Sequence, residues 1–192
     1  MRIIAGEYRG RPIKAPKGMA TRPTTDRVRE SLMSTIASAA GGFMDLRVFD
    51  VFAGSGALGL ECLSRGAALT LFTDKDPAAV ACIKGNLAAL GIEANRAKVL
   101  CTDVFRRLPA AGGPVDLVLL DPPYAYEAEA IARLISGFDA AGMLAQDAIL
   151  TYEHAADADI SALSAALESS FSHLGTKIYG DIAIDFYRKA SS

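Results

Sequence analysis

The chain has 192 residues, 51% of them hydrophobic and 22% charged, a composition that fits one folded domain with a small appendage and excludes a disordered or fibrous protein. No apolar run reaches the roughly 18 residues of a membrane span, and residues 1–10 hold too short an apolar stretch for a secretion signal, so a cytoplasmic protein without membrane contact is expected. The net charge of −2 is unevenly spread: residues 1–30 carry eight basic and three acidic residues, the remainder 12 basic and 19 acidic. A basic arm on an acidic body suits a polyanion held at the N-terminal end, and Arg2, Arg9, Arg11, Lys14, Lys17, Arg22, Arg27 and Arg29 are its candidate phosphate contacts.

Residues 1–14 read as two short strands about a turn at residues 7–10, a small hairpin outside the main core. Breaker-rich residues 16–23 follow, and Thr24 or Thr25 is placed to cap a helix whose apolar positions Val28, Leu32, Met33 and Ile36 recur at helical spacing; Gly41 and Gly42 end it. From Leu46 onward strands and helices alternate. Strands are predicted over residues 47–52, 69–72, 98–101, 115–120 and 148–153, with Asp76 as cap and Pro77 at the first position of the helix that ends near Gly91. A short helical segment is expected after the third strand. Such alternation implies right-handed crossovers and a mostly parallel sheet covered by helices on both faces. The last two strands, residues 177–179 and 182–188, are separated only by Gly180 and Asp181 and must form an antiparallel pair.

Three motifs fall where such sheets bind ligands, beyond the carboxyl ends of the strands. The first comprises Asp50, Phe52, Ala53, Gly54, Ser55 and Gly56, where glycines let the backbone approach a ligand beside a helix N-terminus. With Asp74 20 residues beyond Gly54, the same segment fits a nicotinamide dinucleotide fingerprint. Against that rival, the Asp50 carboxylate would repel a pyrophosphate but suits a cationic amino-acid ligand such as S-adenosylmethionine. Asp74 can take ribose hydroxyls, and Asp103 after the third strand can accept from an adenine amine; Lys75 and Val104 flank them.

Asp121, Pro122, Pro123 and Tyr124 follow the fourth strand directly. The prolines fix the backbone and expose carbonyls, so the Asp121 carboxylate and the Pro122 carbonyl can accept both hydrogens of an exocyclic amine and aim its lone pair at a methyl donor. Tyr124 can stack on an unpaired base. Cys62, Cys82 and Cys101 show no C-x-x-C pair, and no Cys or acidic residue stands at ligand spacing from His154 or His173. No metal and no disulfide framework are therefore expected, and no G-x-S-x-G elbow marks a serine hydrolase.

With these residues in view the chain resembles the bacterial RsmD-like family, which methylates the N2 amine of a guanine in 16S ribosomal RNA. The resemblance runs over nearly the whole length. It rests on R-I-I-A-G-x-Y-R-G-R, on R-P-T-x-D-R-V-R-E at residues 22–30, on D-x-F-A-G-S-G-x-L-G-L-E, on Asn86-Leu87, on D-P-P-Y and on Tyr187-Arg188. It implies a seven-stranded Rossmann-like class I methyltransferase sheet with a reversed last strand. It also implies S-adenosylmethionine as donor, S-adenosylhomocysteine as product, and RNA or a small-subunit assembly intermediate as partner. Carried over by position, residues 50–56, Asp74 and Asp103 would hold the donor and residues 121–124 the guanine. Where the family's second strand ends in Glu, this chain has Asp74-Lys75-Asp76, so either carboxylate could hold the ribose. Residues 1–24 would form an RNA-contacting extension, residues 25–192 the catalytic domain, and the protein a monomer.

Overall fold

The computed structural model describes residues 1–16 and 26–191. Within them run α1 (Asp26–Ala40), β1 (Arg47–Asp50), α2 (Ala57–Ser64), β2 (Leu69–Asp74), α3 (Pro77–Leu90), β3 (Ala97–Cys101), β4 (Val115–Leu120), α4 (Ala128–Ala140), β5 (Leu144–Ala155), α5 (Ser161–Leu167), β6 (Phe171–Tyr179) and β7 (Ile182–Lys189). The seven strands form one sheet in the order β3-β2-β1-β4-β5-β7-β6. β1 to β5 pair in parallel, and β7 lies antiparallel between β5 and β6, as the resemblance implied. One face packs under α1, α2 and α3 and the other under α4 and α5. This double cover explains why the central strands are almost continuously apolar.

The expected elements appear with shifted ends. β5 and β6 start earlier than alternation alone suggested, because exposed polar residues, Gln146 and Asp147 in β5 and Ser172 and His173 in β6, interrupt the apolar pattern near their starts. The segment after β3 makes a single turn, in which Arg106 and Arg107 donate to the Asp103 carbonyl, and not a helical segment. Asp76 caps α3 as predicted, accepting from the Ala78 N–H at 2.8 Å with Pro77 at the first position. The expected caps Thr24 and Thr25, and all of the 16–23 link but Pro16, lie outside the described residues. No helix among the described residues is long and apolar enough to cross a membrane.

One expectation is corrected outright: the N-terminal hairpin is part of the core. It is reduced to a single antiparallel bridge between Arg2 and Pro12, but Ile3, Tyr8 and Ile13 are buried in the same cluster as α1, α2 and α3. The fully buried Glu61 of α2 accepts from Ile4 N–H (2.9 Å) and Ala5 N–H (3.0 Å), and Ser64 accepts from Tyr8 N–H. A buried carboxylate in a helix is costly unless its lone pairs are met, and here the arm's backbone and Arg65 meet them. Gly6 fits this seam because a Cβ there would stand 1.8 Å from the Ser64 carbonyl oxygen.

Candidate active site

β1 and β4 are parallel neighbours, so Asp50 and Asp121 emerge at the same edge of the sheet. Beyond β1 the chain bends through Gly54 (φ 54°) and Gly56 (φ 78°) into α2, whose N-terminus has no side-chain cap. Two carboxylates fix the bend. Asp50 accepts from Gly59 N–H at 3.0 Å. Asp74 at the end of β2 accepts from Gly54 N–H and from Asp76 N–H, each at 2.9 Å. Burial, reinforced by the charges of Asp121 and Asp74 and opposed by the Gly59 hydrogen bond, pushes the Asp50 carboxyl up to about 7. Between the two carboxylates proposed for the ribose, Asp76 is committed to capping α3 and Asp74 faces the glycine bend.

The strand register pairs Leu120 with Tyr152, and the next step brings Asp121 level with Glu153 on β5. Burial pushes Asp121 up to about 6, and burial together with Asp121 pushes Glu153 up to about 8. Among the described residues neither carboxylate takes part in a hydrogen bond. Pro122 is buried, Pro123 exposed, and Tyr124 stands 55% exposed at the rim. Sequence reasoning missed Glu153; its only signal was a charged residue inside an apolar strand.

Three aromatic rings close the same edge over β3 and β4. Phe52 lies 6.0 Å from Phe105 and 6.1 Å from Tyr126, and Phe105 lies 4.6 Å from Tyr126. Lys75 donates to the Tyr126 hydroxyl at 3.0 Å and sits 5.4 Å over its ring. Asp103 is there too, accepting from Phe105 N–H at 3.1 Å with Arg106 3.6 Å away. Phe105 and Tyr126 were not foreseen. Val104, which was, turns its side chain into the core at 4% exposure; the exposed ring at this turn is Phe105.

The basic residues of the arm divide by role. Arg9, Lys14 and Arg27 are exposed. Arg2 pairs with Asp26 at 3.1 Å while staying mostly exposed. Arg11 donates to the Ala89 and Leu90 carbonyls at the C-terminus of α3, so its expected phosphate role gives way to capping. Arg29 is the clear correction: it is 1% exposed and donates to the Arg2 carbonyl and to Asp26, locking the arm to α1. Lys17 and Arg22 lie outside the described residues. The arm reaches the glycine bend through Asn86 of α3, whose side chain donates to the Lys14 and Ser55 carbonyls and accepts from Lys14 N–H.

Away from this edge, His154 and His173 both bond to Asp185, at 2.7 and 2.6 Å. Their partner was invisible in the sequence because it comes from β7. Among the described residues no cluster of His, Cys, Asp or Glu is arranged to hold a metal.

Residues 1–188 match the family described as Conserved hypothetical protein 95. Ribosomal RNA small subunit methyltransferase D of Escherichia coli (strain K12) is 34% identical over 98% of this chain and 90% of its own. The solved structure of yhhF from Escherichia coli superposes with a TM-score of 0.80 at 34% identity, covering 100% of this chain and 99% of that one. The fold is also that of magnesium protoporphyrin IX methyltransferase from Synechocystis PCC 6803 with bound SAM (TM-score 0.69, 20% identity, 85% of this chain and 79% of that one).

Proposed function

The chain belongs to the Conserved hypothetical protein 95 family, and from that premise we propose that it is an S-adenosylmethionine-dependent methyltransferase acting on the N2 amine of a guanine in small-subunit (16S) ribosomal RNA. The observation that carries this reading is the placement of Asp50 and Asp121 at the same edge of adjacent parallel strands, one beside a glycine bend and the other in a proline-stiffened corner.

The residues fit the donor. The bend at Gly54 to Gly56 and the uncapped start of α2 accommodate its amino-acid part, with Asp50 as counter-charge to its ammonium. Asp74 is placed for the ribose, and Asp103, Lys75 and the rings of Phe52, Phe105 and Tyr126 for the adenine. When bound, S-adenosylmethionine supplies an electrophilic methyl group on a sulfonium. The protein's part is alignment and electrostatics. Asp121 and the Pro122 carbonyl accept the two hydrogens of the amine, which leaves its lone pair directed toward the donor side, and the buried carboxylates favour the positive charge that develops on the nitrogen. Asp121 also stands where the proton leaving the methylated amine can be taken up. Tyr124, exposed at the rim, offers a ring for the extruded base.

The arm supports an RNA substrate. Residues 1–24 are proposed as the RNA-contacting extension and 25–192 as the catalytic domain, although the arm packs into the core. Arg2 and Arg9 line a cleft of about 220 Å³ with Ile3, Ile4, Gly10 and Asp26, and Arg9, Lys14 and Arg27 remain free of the structural duties that occupy Arg11 and Arg29. The proposed protein is a cytoplasmic monomer that meets its RNA within an assembling small subunit. Transfer of tritium from labelled S-adenosylmethionine to small-subunit particles tests the reading, with Asp121→Ala as control. Label in the RNA that disappears in the variant is expected; full activity in a folded Asp121→Ala protein would refute the assigned role.

A further inference from the structure

Glu153 has no part in the mechanism above, yet it is 7% exposed and lies level with Asp121 on the neighbouring strand. A carboxyl that is nearly buried yet accepts no hydrogen bond from a described residue has lone pairs to offer an incoming donor, and its nearest titratable company is another carboxylate. Such a pair attracts donors. Resting on the proposed reaction, we infer that Glu153 is the residue that selects guanine, by accepting the N1–H of the target base while Asp121 and Pro122 hold the adjacent N2 amine.

The chemistry of the bases makes the inference specific. On guanine the exocyclic amine stands next to N1–H, giving contiguous donors along one edge. On adenine and cytosine the ring nitrogen beside the amine is a bare acceptor, whose lone pair would face the Glu153 carboxylate. With Glu153 ionised, the form that a hydrogen bond from guanine's N1–H favours, an amine held in the D-P-P-Y corner can therefore belong to guanine with every group paired, and to the other two bases only with an acceptor set against an acceptor. A site built around a specific donor rejects analogues lacking it more strongly than an apolar pocket rejects a wrong shape. Sheet register fixes this arrangement: a one-residue slip of β5 would turn Glu153 to the opposite face.

The test uses small-subunit particles reconstituted with either guanine or 2-aminopurine at the nucleotide the wild-type protein methylates. 2-Aminopurine keeps the amine but presents N1 as an acceptor. Wild type is expected to favour guanine by roughly 100-fold or more in kcat/KM. Glu153→Gln, whose amide can donate to N1, should shrink that ratio at least roughly tenfold by losing activity on guanine, with S-adenosylhomocysteine binding and melting temperature kept. Comparable use of both bases by wild type would overturn the inference, as would a Glu153→Gln protein with an unchanged ratio. Should the Gln variant not fold, Glu153→Asp, which withdraws the carboxylate, is expected to lower guanine use while keeping donor binding, and unaltered kinetics would count against the role. Methylated guanine with indifferent ratios sinks this inference alone; no methyl on any guanine sinks the proposed reaction with it.

Discussion

The side-chain amide of Asn86 donates to the carbonyl of Ser55 at 2.9 Å, and from the same nitrogen to the carbonyl of Lys14 at 3.0 Å. One buried side chain thus joins the N-terminal arm to the glycine bend. Replacing it by Ala leaves the Ser55 carbonyl and the Lys14 N–H without partners and the Lys14 carbonyl with only the Cys82 thiol. The expected loss is about 2–3 kcal/mol of stability, together with weaker S-adenosylhomocysteine binding although Asn86 lies behind the bend. Thermal melting and calorimetric titration check both; donor affinity unchanged at lowered stability would show that the bend does not depend on this link.

Gly6 and Gly10 have nearly the same backbone, at φ +83° and +80°, but different surroundings. A Cβ at Gly6 would meet the Ser64 carbonyl oxygen at 1.8 Å, whereas at Gly10 nothing lies within 4 Å. Gly10→Ala should cost only the conformational penalty of about 1–2 kcal/mol. Gly6→Ala should cost more than about 3 kcal/mol, because the arm must lift from α2. Equal melting temperatures for the two variants would contradict the docked arm.

Stability should decline from mildly acidic to mildly basic pH. Asp50, Asp121 and Glu153 titrate at about 7, 6 and 8 against ordinary values of 3.8, 3.8 and 4.5, so the folded protein binds more protons than the unfolded chain over this window, and stability falls as the pH rises through it. His154 acts in the same direction. Burial disfavours its charge, but the bonds to Asp185 and to the Ala155 carbonyl outweigh burial and raise its pKa; its contribution is complete below the ordinary 6.5 and is lost as pH climbs past the folded value. Asp185 opposes them only in acid: its partners lower its pKa despite burial, so its contribution is lost as pH falls below about 3.8. A melting temperature highest near pH 4 and falling toward pH 8, with a shallower fall in Asp50→Asn, is expected. A flat or rising profile would contradict the buried carboxylates.

The arm's arginines should separate cleanly. Arg9→Glu is expected to weaken RNA binding and reduce its salt dependence while melting temperature and donor binding stay unchanged. Arg11→Ala should instead lower stability by about 1–2 kcal/mol through lost capping of α3. Filter binding at two salt concentrations beside thermal melting distinguishes them, and equal stability loss in both would show that Arg9 has a structural duty as well.

Legibility in the sequence followed locality. Asp76-Pro77 announced α3 because a cap and its helix are contiguous, and the run Val115 to Leu120 announced a doubly covered strand because burial on both faces removes alternation. The glycine bend and D-P-P-Y corner were legible for the same reason. Arg29 misled, since a cation in a basic stretch looks like a phosphate contact until the arm folds over it and supplies the Arg2 carbonyl, beside Asp26 of its own helix. Glu153 and Asp185 were hidden because their partners come from other strands and only register brings them together, Phe105 and Tyr126 because their partners come from the turns that follow other strands.

The central claim is that a base amine meets the donor methyl over the ends of β1 and β4. Its most direct test is mass-spectrometric mapping of RNA from small-subunit particles incubated with the protein and isotopically labelled S-adenosylmethionine. The account predicts the labelled methyl on the N2 nitrogen of a guanine in 16S RNA; label on a ring carbon, on a ribose oxygen or on protein alone would contradict it.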